Sequence, residues 1–448
     1  MSDLSLVKKL MIIFAWGTVS FLVGNNIVDA SITQKGIVIL LICAGLWMTE
    51  IVPLPVTALL VPVLAYFFGI LEPKAAMAPF SNTIIFLFMG GFTLAALLNK
   101  YRIDKWLAQY VINLGQGRLW LSTIGFFAVV SFLSMWMSNT ATTAMMLPIA
   151  LALVDDRFPR MRTFILLGTA YAANIGGLAT AVGSPPNGIA VAALDIDFFT
   201  WFKVGFPSTV MMFPFVIIAL RLVIHPEPDA QLNRLQNSDD KMNWSPQAKG
   251  SVVLFLFTVI CWIFSSKFNQ WVGVIQFDRM IAILITALAP ALGLISWKEL
   301  EDKIQWGILL LFGGGLCLSV ILTKTGTTKW LATAILDSIA GAPEWLIIMV
   351  CIGFMIFLTE LASNTGSAAI LIPVMMALAD QFSPAMTYAL VFGIGVAATC
   401  AFMLPVATPP NALVYGTGYI KQKQMLRAGL LLNIIGIFVV FTAVSLFA

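Results

Sequence analysis

The residues able to do chemistry in this chain are small neutral oxygen donors, and they occur twice. Ser138-Asn139-Thr140 has a mate at Ser363-Asn364-Thr365, and Gly183-Ser184-Pro185-Pro186-Asn187 has a mate at Ala407-Thr408-Pro409-Pro410-Asn411. Each motif interrupts an apolar stretch. Consecutive prolines remove two backbone donors and disfavour helix in the residue before them, so each Pro-Pro must unwind its span, the alternative being an ordinary loop between two short helices. A half-helix ending at such a break presents free carbonyls and a partial negative charge, which suits Na+. A half-helix starting there presents free N–H groups, which suit carboxylate oxygens. Ser134 and Ser138 have helical spacing and would share one face just before the first tip, and Thr359 and Ser363 repeat that spacing. Oxygen-rich turns without soft ligands fit a hard alkali cation rather than a transition metal. No break motif carries Lys or Arg. A dicarboxylate held there by Asn, Thr and backbone donors would keep two uncompensated charges, at several kcal/mol per ion, and bound sodium ions offer the simplest compensation.

The rest of the inventory removes other chemistries. His225 is the only histidine, which leaves no His-based metal cluster and no Ser–His or Cys–His dyad. Cys43, Cys261, Cys317, Cys351 and Cys400 stand singly in apolar runs without CxxC spacing and read as buried thiols. Glu360 is the one acid near a break; Met135 holds the matching place in the first half, which points to a structural or hairpin-face role. With 25 Lys and Arg against 21 Asp and Glu, no basic domain exists for nucleic acid, and no organic cofactor is expected.

The elements that must position these motifs are membrane spans. The chain is 60% apolar and only 10% charged, less than half the soluble norm of about 25%. Apolar runs near 10–28, 37–52, 54–71, 83–99, 163–182, 204–224, 251–266, 280–296, 305–323, 385–406 and 425–447 give eleven candidate crossings. The first follows Lys8 and Lys9, lacks a cleavage pattern and is expected to be retained. The stretches 119–154 and 343–379 each place Ser-Asn-Thr between two apolar arms and read as re-entrant hairpins with tips near mid-bilayer. Two ordinary spans joined by a polar loop are the alternative, since a full and a half excursion return to the same face. The stretches 100–118 and 324–341 are amphipathic and are expected along the membrane surface. Ser81-Asn82-Thr83 has no mate and reads as a helix N-cap. With a cytoplasmic N-terminus and an external C-terminus, 18 of the 25 Lys and Arg fall inside, as the positive-inside bias requires. Trp47, Trp201, Trp262, Trp297 and Trp306 lie near run ends, where an interfacial belt would put them.

The two halves are copies. Residues 86–108 align with 310–332 at an offset of 224 with 11 identities in 23, and 132–148 align with 357–373 at 225 with 7 in 17. Each copy holds five crossings, and an odd number inverts the second copy relative to the first, which is a transporter architecture. The expected organisation is an extra N-terminal helix over 1–35, a first repeat over 36–225, a cytoplasmic linker over 226–249 and a second repeat over 250–448.

Two Ser-Asn-Thr tips, each followed by Pro-Pro-Asn about 45 residues later, resemble the divalent anion/sodium symporter family, the INDY-type sodium-coupled dicarboxylate transporters. The resemblance covers nearly the whole chain. It implies an all-α polytopic homodimer in the bacterial inner membrane, each subunit with a scaffold domain and a transport domain that moves as an elevator. By motif, one sodium site would use Ser134, Ser138, Asn139 and Gly183, and the other Thr359, Ala362, Asn364 and Ala407. The substrate would meet Asn139, Thr140, Asn364 and Thr365, with Ser184, Thr408 and Pro409 closing the pocket. The expected function is sodium-coupled symport of C4-dicarboxylates such as succinate, fumarate and malate. A sodium-independent exchanger, or a symporter for citrate or sulfate, is the alternative within the class. An intramembrane enzyme is disfavoured by the lone His225 and the lack of a carboxylate cluster, and a passive anion channel by the lack of charged rings.

Overall fold

The structure, a computed structural model, describes residues 6–27, 31–115, 118–155, 157–232, 243–331, 333, 342–377 and 382–448. Residues 233–242 of the expected linker, 332 and 334–341 of the second surface stretch, and 378–379 of the second hairpin lie outside the described residues. Among the described residues all regular structure is helical, apart from one isolated antiparallel bridge between Val154 and Leu232.

Among the described residues, seven helical stretches are long and apolar enough to cross a bilayer: Ser31–Thr49, Pro73–Lys100, Phe198–Ile224, Pro246–Ile263, Trp306–Lys324, Glu344–Leu361 and Gln422–Phe447. Ser265–Val272 and Phe277–Ala291, bent by 99° to each other, make an eighth if counted as one broken span. The chain is therefore an integral membrane protein. Other apolar runs form shorter helices. Leu54–Phe67 has 14 residues, about 21 Å at 1.5 Å per residue, against a hydrocarbon core of about 30 Å. Both arms of the first hairpin, Leu119–Ser134 and Asn139–Leu153, are similarly short. In the second, Glu344–Leu361 reaches spanning length while Asn364–Ala377 does not.

The centre of the fold is Pro159–Gly176, buried at every residue from Met161 to Gly176. Both arms of the first hairpin pack on it. The approach is close because Gly176 has no side chain: a Cβ there would lie 2.3 Å from the Ser131 carbonyl oxygen. Glu344–Leu361 packs on Pro384–Ala397 and on Gln422–Phe447, which in turn lies along Phe198–Ile224. Leu54–Phe67 packs on Trp306–Lys324, and Thr83–Lys100 on Phe277–Ala291.

Three expectations are corrected. Runs 163–182 and 385–406 are not continuous helices: they end at Gly176 and Ala397, and helix resumes only at Pro185 and Pro409. The prolines start the new helices, where a missing N–H loses nothing, and the unwound stretch lies before them. Ser134 and Ser138 do not share a helical face, since the first arm ends at Ser134 and Ser138 caps the second, and Thr359 and Ser363 are divided in the same way by the end of the helix at Leu361. Trp47, Trp201 and Trp262 are fully buried rather than interfacial, each giving its indole N–H to a backbone carbonyl, of Leu54, Leu178 and Asp278 respectively. Trp297 and Trp306 are exposed. Asn82 caps Thr83–Lys100 as expected, accepting the Ile84 N–H at 2.9 Å.

Candidate functional site

Each Ser-Asn-Thr tip turns one helix into the next within a few residues, and the same polar pair spans both turns. Ser134, the last residue of the first arm, gives its hydroxyl to Asn139 Oδ1 at 2.8 Å. Thr359 does the same for Asn364 Oδ1 at 2.6 Å. Ser138 Oγ accepts the Ala141 N–H at 3.3 Å, and Ser363 Oγ accepts the Gly366 N–H at 3.5 Å, so both serines serve as caps. Thr359 Oγ1 also lies 2.9 Å from the Ala398 carbonyl oxygen. One hydroxyl proton there faces two acceptors.

The unwound segments close over these pairs. Thr180 gives its hydroxyl to the Met135 carbonyl at the first tip. A Cβ on Gly177 would lie 2.4 Å from Asn139 Oδ1, and one on Gly183 would lie 3.1 Å from the Met135 carbonyl oxygen. The segment 177–184 therefore lies directly on the tip. Asn187, from the first Pro-Pro-Asn, gives its amide N–H groups to the Gly177 and Thr180 carbonyls, both at 2.7 Å. Asn411 gives its own to Ala401 and Leu404, both at 3.1 Å. Ala401 and Leu404 stand at the repeat offset from Gly177 and Thr180, so both asparagines hold equivalent carbonyls.

The two breaks also meet each other. Thr399 gives its hydroxyl to Ser184 Oγ at 3.2 Å, and Asn174 Nδ2 lies 3.3 Å from Thr408 Oγ1 and 3.2 Å from the Ala401 carbonyl oxygen. Ser134, Asn139 and Gly183 thus gather at the first break, and Thr359 and Asn364 at the second, with Ser184 and Thr408 buried where the two cross. Ala362 and Ala407 are buried within the second turn and the second unwound segment. Thr140 and Thr365 stand in the first turns of Asn139–Leu153 and Asn364–Ala377, Thr140 exposed and Thr365 half-buried, and Pro409 is exposed at its helix start. Sequence reasoning left out Asn174, Thr180, Asn187, Asn411 and Thr399. For Asn187 and Asn411 the signal was present, as the last residue of a duplicated motif.

The citrate transporter (CitMHS) family profile matches residues 44–393 and 278–448. An uncharacterized transporter of Haemophilus influenzae is 40% identical over 445 residues, 96% of this chain and 95% of the relative. The sodium-dependent dicarboxylate transporter SdcS of Staphylococcus saprophyticus is 33% identical over 92% of this chain and 86% of its own length. SdcS of Staphylococcus aureus is 32% identical over 92% and 85%. The YdaH transporter of Alcanivorax borkumensis shares the fold with a TM-score of 0.55 at 14% identity, over 86% of this chain and 89% of that structure. Matched along nearly its whole length, the chain is a membrane transporter rather than an enzyme, and it belongs to the citrate transporter family, beside the sodium-dependent dicarboxylate carriers that its paired motifs resemble.

Proposed function

We propose that this protein is a sodium-coupled symporter for C4-dicarboxylates such as succinate, fumarate and malate. The observation that carries the reading is the pair Ser134–Asn139 and its copy Thr359–Asn364, each bridging a helix end and a helix start against an unwound segment. Carbonyl-rich helix ends suit Na+, while the helix starts at Asn139 and Asn364 suit carboxylates. One Na+ is assigned to Ser134, Ser138, Asn139 and Gly183, and another to Thr359, Ala362, Asn364 and Ala407. The dianion is assigned to Asn139, Thr140, Asn364 and Thr365, with Ser184, Thr408 and Pro409 around it. SdcS, named for sodium-dependent dicarboxylate transport, supports Na+ and a dicarboxylate as the ligands.

The architecture that goes with this reading has eleven spans and two re-entrant hairpins in two inverted repeats, over 36–225 and 250–448. A transport domain carries both hairpins and moves as an elevator against a scaffold domain at a homodimer interface. The membrane is the bacterial inner membrane, with the N-terminus cytoplasmic and the C-terminus external. Citrate is the second substrate reading, favoured by the description of the family. Uptake of labelled succinate into proteoliposomes, with an inward Na+ gradient or with choline, tests the proposal, and citrate in the same assay separates the substrates. Uptake equal in sodium and choline would refute sodium coupling and leave the exchanger reading in its place.

A further inference from the structure

Glu360 follows Thr359 directly and is buried. Its Oε1 accepts the N–H groups of Phe402 at 2.6 Å and Met403 at 2.8 Å, and Nδ2 of Asn433 at 2.8 Å. Its Oε2 accepts the Leu404 N–H at 3.1 Å. One carboxylate thus takes three consecutive backbone donors of the second unwound segment, and all four of its donors are neutral. The first half is built differently. Met135 replaces Glu360 there, and Leu178 and Ala179, which match Phe402 and Met403, give their N–H groups to the Ile175 and Gly176 carbonyls at 3.2 and 3.1 Å. That segment closes on itself as tight turns over 177–184, whereas its counterpart over 398–408, three residues longer, has turns at Thr399–Ala401 and at Ala407 and between them turns the N–H groups of 402–404 to Glu360 instead.

An open segment with unpaired N–H groups in a membrane interior is unfavourable unless an acceptor is supplied. Glu360 supplies it. The donors that it holds adjoin the acceptors that shape the second site, since Ala401 and Leu404 offer their carbonyls to Asn411 while Ala398 offers its own to Thr359. We propose that Glu360 is a positioning residue for the second ion site, holding residues 402–404 open so that the carbonyls around Thr359, Asn364 and Asn411 keep the spacing a cation needs. The inference rests on the sodium-site reading above.

The test titrates Na+ on the purified full-length protein with two readouts, thermal shift without substrate and succinate uptake in proteoliposomes. Glu360→Gln keeps one acceptor oxygen but turns an amide N–H toward a backbone donor. It should raise the Na+ half-saturation about tenfold while the maximal uptake rate changes far less. A purely structural residue would lower the melting temperature equally at every Na+ concentration and leave half-saturation in place. Asn433→Ala removes one of the four donors without touching the backbone contacts and should raise half-saturation about threefold; it carries the test if Glu360→Gln does not fold. Unchanged half-saturation in the folded variants overturns this role and leaves sodium coupling standing. A wild-type protein whose melting and uptake both ignore Na+ overturns the two together.

Discussion

Three asparagines of the same tripeptide separate stability from transport. Asn139 and Asn364 sit at the paired tips, while Asn82 caps the helix Thr83–Lys100. On stability the three alanine variants should be alike. Asn82→Ala removes one cap, at about 1 kcal/mol. Asn139→Ala and Asn364→Ala each remove one hydroxyl–amide hydrogen bond, again about 1 kcal/mol net. On transport they should differ sharply. Each tip asparagine is assigned to both a Na+ and the dianion, and a contact to a charged group is worth roughly 1.5–3 kcal/mol, or about 10- to 150-fold in affinity. Loss of two such contacts should reduce succinate uptake at least about 100-fold in Asn139→Ala and Asn364→Ala. Asn82→Ala should transport at nearly the wild-type rate. The assay pairs proteoliposome uptake with melting curves on the same preparations, so that reduced folding is not mistaken for lost chemistry. Equal loss of uptake in all three would mean that duplication does not mark the functional tripeptides, and wild-type uptake in the tip variants would remove them from the site.

Gly177→Ala should mimic Asn139→Ala, because Gly177 has ordinary helical φ and the new Cβ would lie 2.4 Å from Asn139 Oδ1. Uptake should fall about tenfold or more, while Gly315→Ala, whose nearest neighbour is 3.8 Å away, leaves it unchanged. Uptake against Na+ concentration should be sigmoidal, because a dianion needs two positive charges and each helix start offers only about half of one; a hyperbolic curve with one Na+ per succinate would contradict the two-site assignment. Outside the membrane, Lys100 at 2.8 Å and the Ser296 N–H hold the Glu299 carboxyl down to about 2. A depressed pKa contributes stability that is complete above the usual carboxylate value and fades as pH falls toward 2. The melting temperature of Glu299→Gln should therefore change less with pH across that window than that of the wild type, and identical slopes would show that the pair contributes nothing.

What the sequence made legible was whatever it wrote twice or fixed locally. The tips and proline pairs were found through the repeat, and the role of Asn82 followed from a cap that depends on neighbouring residues alone. Burial of Trp47, Trp201 and Trp262 was not legible, because the end of an apolar run reads the same whether its indole N–H meets lipid headgroups or a carbonyl of the protein. The shared face inferred for Ser134 and Ser138 failed because four-residue spacing has that meaning only inside a helix, and the turn begins between them. The length of the second break was hidden for a different reason. Three of its N–H groups go to Glu360, 42 residues before Phe402, and a carboxylate beside an apolar run carries no sign of so distant a partner.

On the proposed reading of two sodium ions and one dianion, the contacts between the breaks would link the sites. Ser184 precedes the first Pro-Pro helix and takes its hydroxyl contact from Thr399 in the second unwound segment, while Thr408 precedes the second such helix and faces Asn174 of the first half. Each repeat therefore helps to define where the helix of the other begins. These are neutral hydrogen bonds of about 1 kcal/mol each. Together they could couple the breaks by about 2 kcal/mol, within the 1–3 kcal/mol typical of linked binding sites. An ion that orders one unwound segment would fix a helix start belonging to the other copy, and the second ion would then meet a site already partly arranged. If the two proposed cation sites exist, coupling of that kind would favour filling both before the proposed dianion enters, the order that charge compensation in a low-dielectric interior also favours.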